Sequence, residues 1–316
     1  MRRARKKGGS SCIRFFFFTL VVQLAAIRAG SGETFRIATY NVLNYLDAAS
    51  GTRRVKSDEA KAKVRESILA IKPDVLALEE IGTVSALQEL RGSLKNAGLN
   101  LSYWEHVNGS DTNIHIAVLS KFPFTSVRPQ TNDDFLLNGK RMFVRRGFAV
   151  VDIRVNTNYS FTLIAAHLKS KLPSPSADEA DLRYEEAKIL REKIDAAFAA
   201  NPNVNLIVLG DLNDYKDSNP VRTIIGRGRH KLVDTRPAER NGDNPATPPR
   251  PLDAPTITWT HYYSVEDVYS RLDYILLSPG MAREWVTNES YVLSLPNWGK
   301  GSDHRPVVAT FEAEDK

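Results

Sequence analysis

Gly210-Asp211-Leu212-Asn213-Asp214 is the stretch of this chain richest in chemically useful groups. Two carboxylates and an amide follow Val204-Asn205-Leu206-Ile207-Val208-Leu209, whose short, apolar, β-branched character predicts a fully buried strand. In α/β sheets the carboxyl ends of strands are where ligands and catalytic groups collect. A glycine directly before the acid permits close approach of a backbone or ligand. Taken alone, Asp-Leu-Asn-Asp serves equally well as a turn, since Asn and Asp favour turns.

The same grammar recurs along the chain. Predicted strands end on, or begin from, Asn41, Glu80, His167, Asp211 with Asn213, and Asp303 with His304. Each taken singly reads as a cap or turn residue. Five strand ends carrying only Asn, Asp, Glu and His imply one polar floor above packed sheets. Such groups suit a hard divalent cation held by oxygen, with phosphate-binding side chains beside it. His167 and His304 stand among acids and amides without cysteine, which favours Mg2+, with Mn2+ the alternative, over a structural zinc site.

These residues need a scaffold, and the pattern supplies one. Residues 35–41 read as a first strand. Ala60, Val64, Ile68 and Ile71 recur at helical spacing over 57–71, and Pro73 stops that helix. Residues 74–78 form a buried strand leading to Glu79-Glu80. Thr83 caps a second helix through Leu94, with Gly98 beyond its end. Residues 114–119 are another strand. Residues 147–155 and 159–166 form a hairpin that delivers His167. A long amphipathic helix covers 178–200. Residues 272–277 are a strand carrying Asp273, and 305–311 a final strand. The Pro-, Asn-, Asp- and Arg-rich residues 236–256 read as a surface loop. With no tandem repeat and no clear linker, one domain is expected.

Residues 1–30 read as a secretory signal. Arg2, Arg3, Arg5, Lys6 and Lys7 form a basic region, and 15–27 is an apolar run of thirteen, short for a membrane span. Cleavage near Ala29-Gly30 would leave a single catalytic domain, 31–316, secreted or periplasmic. The leader also changes the charge argument. The chain carries 43 basic and 37 acidic residues, a net +6, but seven of the basic residues and none of the acidic ones lie in 1–30. Without them 36 basic residues face 37 acidic, a net −1. Global charge is then no argument for nucleic-acid binding, and an anionic substrate must be drawn by a local patch or a metal. Cys12, the only cysteine, lies in the leader, so no disulfide or thiolate site is expected in the exported protein.

Six motifs stand in one order: Thr39-Tyr40-Asn41-Val42-Leu43-Asn44, Leu76-Ala77-Leu78-Glu79-Glu80-Ile81, Ala166-His167-Leu168-Lys169-Ser170-Lys171, Gly210-Asp211-Leu212-Asn213-Asp214, Arg271-Leu272-Asp273-Tyr274-Ile275 and Gly301-Ser302-Asp303-His304-Arg305-Pro306. Through them the chain resembles the endonuclease/exonuclease/phosphatase superfamily, over residues 34–312. That group includes deoxyribonuclease I-like and exonuclease III-like enzymes, neutral sphingomyelinases and inositol polyphosphate 5-phosphatases.

The resemblance implies an α+β fold, a four-layer α/β sandwich in which two mainly antiparallel β-sheets pack face to face with helices outside. It implies that Glu80 is the principal metal ligand, that Asn41 supports the metal or the phosphate, and that Asp303 is a second metal ligand or completes the acid cluster. The family's Gln-Glu pair is Glu79-Glu80 here, which adds a charge near the metal. It further implies a catalytic set of Asp211, Asn213, His167, His304 and Asp273. Asp211 deprotonates the attacking water and Asn213 holds it. His304 contacts a phosphate oxygen, Asp273 orients that imidazole, and His167 faces the phosphoryl group from the other sheet. The chemistry asks for such a set independently. A phosphodiester repels nucleophiles, so cations must neutralise charge on its oxygens while a carboxylate aligns the water.

Substrate contacts are expected from Lys169 and Lys171, which share a face if extended. Arg146, in the cluster with Arg141 and Arg145, and Asn113, at a loop position that touches substrate in related enzymes, complete that set. Trp104 is expected in the core. Arg227, Arg229, His230 and Lys231 form a further basic patch after Asp214. The expected activity is that of an exported Mg2+-dependent phosphodiesterase, first a nuclease acting on nucleic acid as a monomer without an obligate protein partner. The alternatives are a phospholipid or sphingomyelin phosphodiesterase, a phosphatase for a small phosphate ester, and a non-catalytic binding protein. A lipid enzyme calls for an exposed apolar hairpin, and Phe135-Leu136-Leu137 is the one short candidate.

Overall fold

A computed structural model of the chain describes residues 33–240 and 258–316. The expected leader, Cys12 and most of the expected loop at 236–256 lie outside the described residues.

In chain order the strands are β1 (Thr34–Tyr45), β2 (Val75–Ile81), β3 (Tyr103–Val107), β4 (His115–Ser120), β5 (Phe124–Val127), β6 (Asp134–Leu137), β7 (Lys140–Phe143), β8 (Phe148–Arg154), β9 (Ser160–His167), β10 (Leu206–Asp211), β11 (Val233–Asp234), β12 (Ala238–Arg240), β13 (His261–Tyr263), β14 (Val268–Ser270), β15 (Asp273–Leu277), β16 (Trp285–Leu293) and β17 (Val307–Glu312). The helices are α1 (Asp58–Ile71), α2 (Val84–Asn96), α3 (Glu179–Ala200) and α4 (Asn219–Ile225). One sheet runs β12-β16-β17-β1-β2-β4-β3 and the other β11-β15-β10-β9-β8-β5. Their described neighbours are antiparallel except for β1 with β2, β12 with β16 and β9 with β10.

Period-two alternation builds the layers. Phe35, Ile37, Val75 and Ala77 point from the first sheet toward Val151, Leu163, Ile207 and Ile275 of the second, forming an inter-sheet core. The outer face of the first sheet, with Tyr40, Leu76 and Leu78, packs under α1 and α2 through Val64, Ile68, Leu87 and Leu90. The outer face of the second, with Ile164, Val208 and Leu276, packs under α3 and α4 through Leu190, Ile194 and Val221. The result is the four-layer sandwich that the family resemblance implies. The helices start where their caps predict: Ser57 accepts from the Ala60 N–H, Thr83 from Ser85 and Ala86, and Asp178 from Ala180 and Asp181.

The inward face carries the chemistry. Along β1 it reads Phe35, Ile37, Thr39, Asn41, along β9 Leu163, Ala165, His167, and along β10 Ile207, Leu209, Asp211. At one end of the inter-sheet layer the side chains thus change from apolar to polar. β1, β2, β9 and β10 arrive there with their carboxyl ends. The antiparallel β15 and β17 begin there, which brings in Asp273 and the Asp303-His304 pair.

Two expectations change. Residues 238–240 form strand β12 against β16 rather than loop. Trp104 lies on the edge strand β3, 38% exposed with the Arg91 guanidinium over its ring, and is not core.

Candidate active site

Strict alternation would turn Glu80 toward the helices beside Leu76 and Leu78. The backbone prevents this. Glu80 is left-handed at φ 63°, and the β2 register slips between Glu79 and Ile81 against β4. A non-glycine residue held there costs about 1–3 kcal/mol, which the surrounding structure must supply. Ile81 returns to the helix-packed face, and the Glu80 carboxylate is turned to the sheet end. The Asn44 N–H donates to its Oε2 at 3.0 Å, and Asn41 Nδ2 approaches its Oε1 at 3.4 Å. Leu43 and Asn44 are also left-handed, and the buried Lys56 ammonium donates to the Leu43 carbonyl at 2.8 Å, pinning this turn. Burial lowers Lys56 to about 8, against the opposing pull of Asp303 and Glu80.

Glu79 behaves differently from its neighbour. It is fully buried beneath the site, where it accepts from Thr39 Oγ1 at 2.7 Å. Burial pushes its carboxyl well above the usual range; the Thr39 hydrogen bond works against this, while Asp273 and Asp211 add to it. Burial thus works against the expected extra charge near a metal. Gly210 explains how the layers close over it. At φ 127° it pairs with Ala166, and a Cβ there would overlap the Ala166 carbonyl oxygen and crowd Glu79.

Asp211 is the centre of the arrangement. Its Oδ2 lies 3.0 Å from Asn41 Nδ2, 3.3 Å from Asn213 Nδ2, 3.5 Å from His167 Nε2 and 3.7 Å from His304 Nε2. Its Oδ1 accepts from the Asn213 N–H at 2.9 Å. Burial pushes the Asp211 carboxyl up to about 6, with His304 opposing the shift and Asp273 adding to it.

The two histidines are shifted in opposite directions. His304 Nδ1 meets Asp273 Oδ2 at 2.8 Å. Burial alone would lower this imidazole, but Asp273 and Asp211 at its two nitrogens raise it well above the ordinary value. His167 is lowered well below that value by burial, with Arg146, His304 and Arg53 adding to the shift. Backbone bonds fix the frame: Ser302 Oγ donates to the Asn41 carbonyl and accepts the His304 N–H, while Thr260 Oγ1 accepts from the N–H groups of Leu272 and Asp273.

Above this floor opens a cavity of about 780 Å3 whose lining includes Glu80, Asp211, Asn213, Asp303 and His304. Asp303 stands 3.7 Å from His261 Nε2. Although burial would raise its carboxyl, the neighbouring His261 imidazole and the His304 charge hold it below the usual range. Hard oxygen donors thus face the cavity from Glu80 and Asp303, and the buried Asn44 Oδ1 beside them has no hydrogen-bond partner. This donor set fits an oxygen-held divalent cation. Asp211, Asp273 and His304 also cluster tightly, but there the imidazole and Asp273 bind each other. Asn41 lies against both carboxylates, its Oδ1 accepting the Leu43 N–H and its NH2 facing Glu80 and Asp211.

The expected substrate contacts divide. Arg146 lines the cavity, is 5% exposed, donates to the Leu168 carbonyl and has a buried Nε without a hydrogen bond, 3.8 Å from the Asp111 carboxylate. Lys171 lines it too, 3.3 Å over the Tyr215 ring and 3.6 Å from Asp214. Lys169 does not: its ammonium is folded into the loop, donating to the carbonyls of Ser170 and Leu172 at 2.7 and 2.6 Å. Asn113 is likewise corrected, since its side chain is bonded to Asp111 and Ser50 and lies off the cavity lining. Arg53, Lys56 and Tyr215 join the site from loops that carry no periodic signal. The hairpin β13–β14 borders the cavity through His261, Tyr263 and Val268, and exposes Val265 and Tyr269 at 77% and 53%. The chain therefore has an apolar hairpin beyond the one expected at 135–137, where Leu136 is 71% exposed.

A family model described as the endonuclease/exonuclease/phosphatase family matches residues 38–304. No curated protein matches the chain. Among solved structures, the human Nocturnin catalytic domain with bound sulfate shares 16% identity, with a TM-score of 0.59 over 88% of this chain and 94% of that one. Truncated Caenorhabditis elegans TDP2 shares 16%, with a TM-score of 0.55 over 89% and 98%. Sphingomyelinase C from Streptomyces griseocarneus shares 18%, with a TM-score of 0.55 over 88% and 99%. At such identities these likenesses speak to the fold.

Proposed function

The chain belongs to the endonuclease/exonuclease/phosphatase family, whose members are metal-dependent hydrolases of phosphoester bonds, and on that premise we propose that it is an exported, Mg2+-dependent phosphodiesterase that cuts nucleic acid. The observation that carries this reading is the Asp211 carboxylate, with two amides and two imidazoles converging on one oxygen at the floor of an open cavity. Export is supported by the basic and apolar character of 1–30, ahead of a single catalytic domain at 31–316.

In this mechanism Asp211 takes the proton of the attacking water, while Asn41 and Asn213 fix the direction of its lone pairs. His304, kept cationic by Asp273, donates from Nε2 to a phosphate oxygen. His167 donates to the same group from the second sheet. Glu80 and Asp303 would hold the cation, which supplies positive charge to the phosphate and to the departing alkoxide. Arg146 and Arg53 neutralise the flanking anion on the cavity wall.

A lipid phosphodiesterase is the second reading, favoured by the exposed Tyr263, Val265 and Val268 on the hairpin that borders the cavity. The test presents plasmid DNA, RNA and sphingomyelin vesicles to the purified protein with Mg2+ and with EDTA. Metal-dependent cleavage of DNA or RNA supports the nuclease. Release of phosphocholine with nucleic acid left intact overturns it in favour of the lipid reading.

A further inference from the structure

A second cavity, a groove of about 960 Å3, lies behind the loop that follows Asp214. Its lining carries Lys216, Arg222, Arg227, Lys231 and Arg236, all exposed, against two carboxylates, Asp217 and Asp234. Asp217 is engaged by Lys216 at 2.8 Å and faces Arg222 at 3.7 Å. Asp234 is engaged by Arg271 and faces Arg236 at 3.6 Å. Arg227 and Lys231 have no carboxylate partner among the described residues, so the groove keeps a local positive excess in a chain whose net charge without residues 1–30 is −1.

This surface is built, not merely charged. Arg191 of α3 donates to the carbonyls of Ile224 and His230, and the Leu232 N–H returns to the Ile225 carbonyl, fixing the segment that carries Arg227 and Lys231. The groove and the catalytic cavity are lined by adjoining residues of the same segments. Tyr215 lines the cavity while Lys216 lines the groove. Ser270 and Leu272 line the cavity while Asp234, the partner of Arg271 between them, lines the groove. Tyr215, 48% exposed with the Lys171 ammonium 3.3 Å over its ring, directly precedes Lys216 in the chain. A cationic groove joined to an exposed aromatic ring is the combination that tracks a nucleic-acid strand, through phosphates and base stacking.

We propose that this groove holds backbone phosphates of a polynucleotide whose scissile phosphate lies at Asp211, with Tyr215 stacking a base between them. The assignment deepens the nuclease reading and rests on it for the position of the scissile phosphate.

The test is fluorescence anisotropy of a labelled twenty-nucleotide single strand and of a labelled dinucleotide, in EDTA so that nothing is cleaved. The wild type is compared with Arg227→Glu/Lys231→Glu, with the milder Arg227→Ala/Lys231→Ala, and with Lys95→Glu on the distant α2 as a charge control. The groove predicts at least tenfold weaker binding of the long strand in the reversal pair, a smaller loss in the alanine pair and little change in the control. Dinucleotide binding and Mg2+-supported hydrolysis of bis(p-nitrophenyl) phosphate stay as in the wild type. The salt slope becomes shallower by roughly 1.4 if two single-strand phosphate contacts are lost. Unchanged binding of the long strand, no binding by the wild type, or a parallel loss of small-diester hydrolysis would each overturn the assignment. A wild type that binds the strand through these residues yet cuts neither DNA nor RNA would overturn the nuclease reading and leave the groove standing.

Discussion

Asp211 Oδ2 and His304 Nε2 face each other at 3.7 Å across the gap between the two sheets, with Asp273 on the far nitrogen of the imidazole at 2.8 Å. Neither sheet holds this pair alone. It exists because β10 ends where the segment leading into β17 begins.

The pair sets the pH dependence. Asp211 works as an anion, and burial raises its carboxyl to about 6. Activity should therefore be low below that value and rise through it as the proton leaves. A kcat/KM profile from acid to mildly alkaline pH checks this. A flat profile across that region would separate Asp211 from the proton transfer.

Asp273→Asn removes the main charge that keeps His304 protonated. The His304 proton should then be lost at a lower pH, so the alkaline fall in activity moves toward neutrality. At neutral pH the rate should drop by about a hundredfold, the size of loss seen when an oxyanion-stabilising donor is removed. An unshifted alkaline limb would show that Asp273 acts elsewhere.

Glu80→Gln keeps the shape of the side chain and removes the charge of the proposed cation ligand. Calorimetric Mg2+ affinity should fall by at least tenfold. Lys169→Met should leave both Mg2+ and substrate affinity near the wild type and lower the melting temperature, because its ammonium holds loop carbonyls. A raised KM without destabilisation would return Lys169 to the substrate.

Glu79→Gln should be mild. Burial raises the pKa of this acid, which favours its uncharged form, so an amide can replace it beside Thr39. An acid whose folded pKa is raised loses stability as pH climbs from its unfolded value through its folded one. The variant should therefore melt higher than the wild type at alkaline pH and match it at acid pH. Gly210→Ala should be severe, costing about 3 kcal/mol or more through backbone strain and overlap with the neighbouring strand. Chemical denaturation measures both.

The polar strand ends were legible because alternation is local. Once residues 35–41, 159–166 and 204–209 read as strands, the positions of Asn41, His167 and Asp211 on the inward face followed. Glu80 was legible as a strand-end carboxylate, but its direction depends on a bulge that no periodicity encodes. Lys169 was misread because β9 ends at His167 and the chain turns, so the extended spacing of Lys169 and Lys171 no longer puts them on one face. The orientation of the Asn41 amide is set by partners far away in sequence, Asp211 among them. Lys56, Arg53 and Tyr215 reach the site from irregular loops. The strand β16 was hidden by its exposed Thr287, Asn288 and Glu289.

The most direct test of the account is Asp211→Asn, which preserves the shape of the side chain and removes the base. Cleavage of plasmid DNA and hydrolysis of bis(p-nitrophenyl) phosphate would be followed with saturating Mg2+, alongside Mg2+ affinity and thermal melting. The account predicts a fall in kcat of about a hundredfold or more, with Mg2+ affinity and folding retained. A folded, Mg2+-binding variant that turns over within a few-fold of the wild type would contradict it.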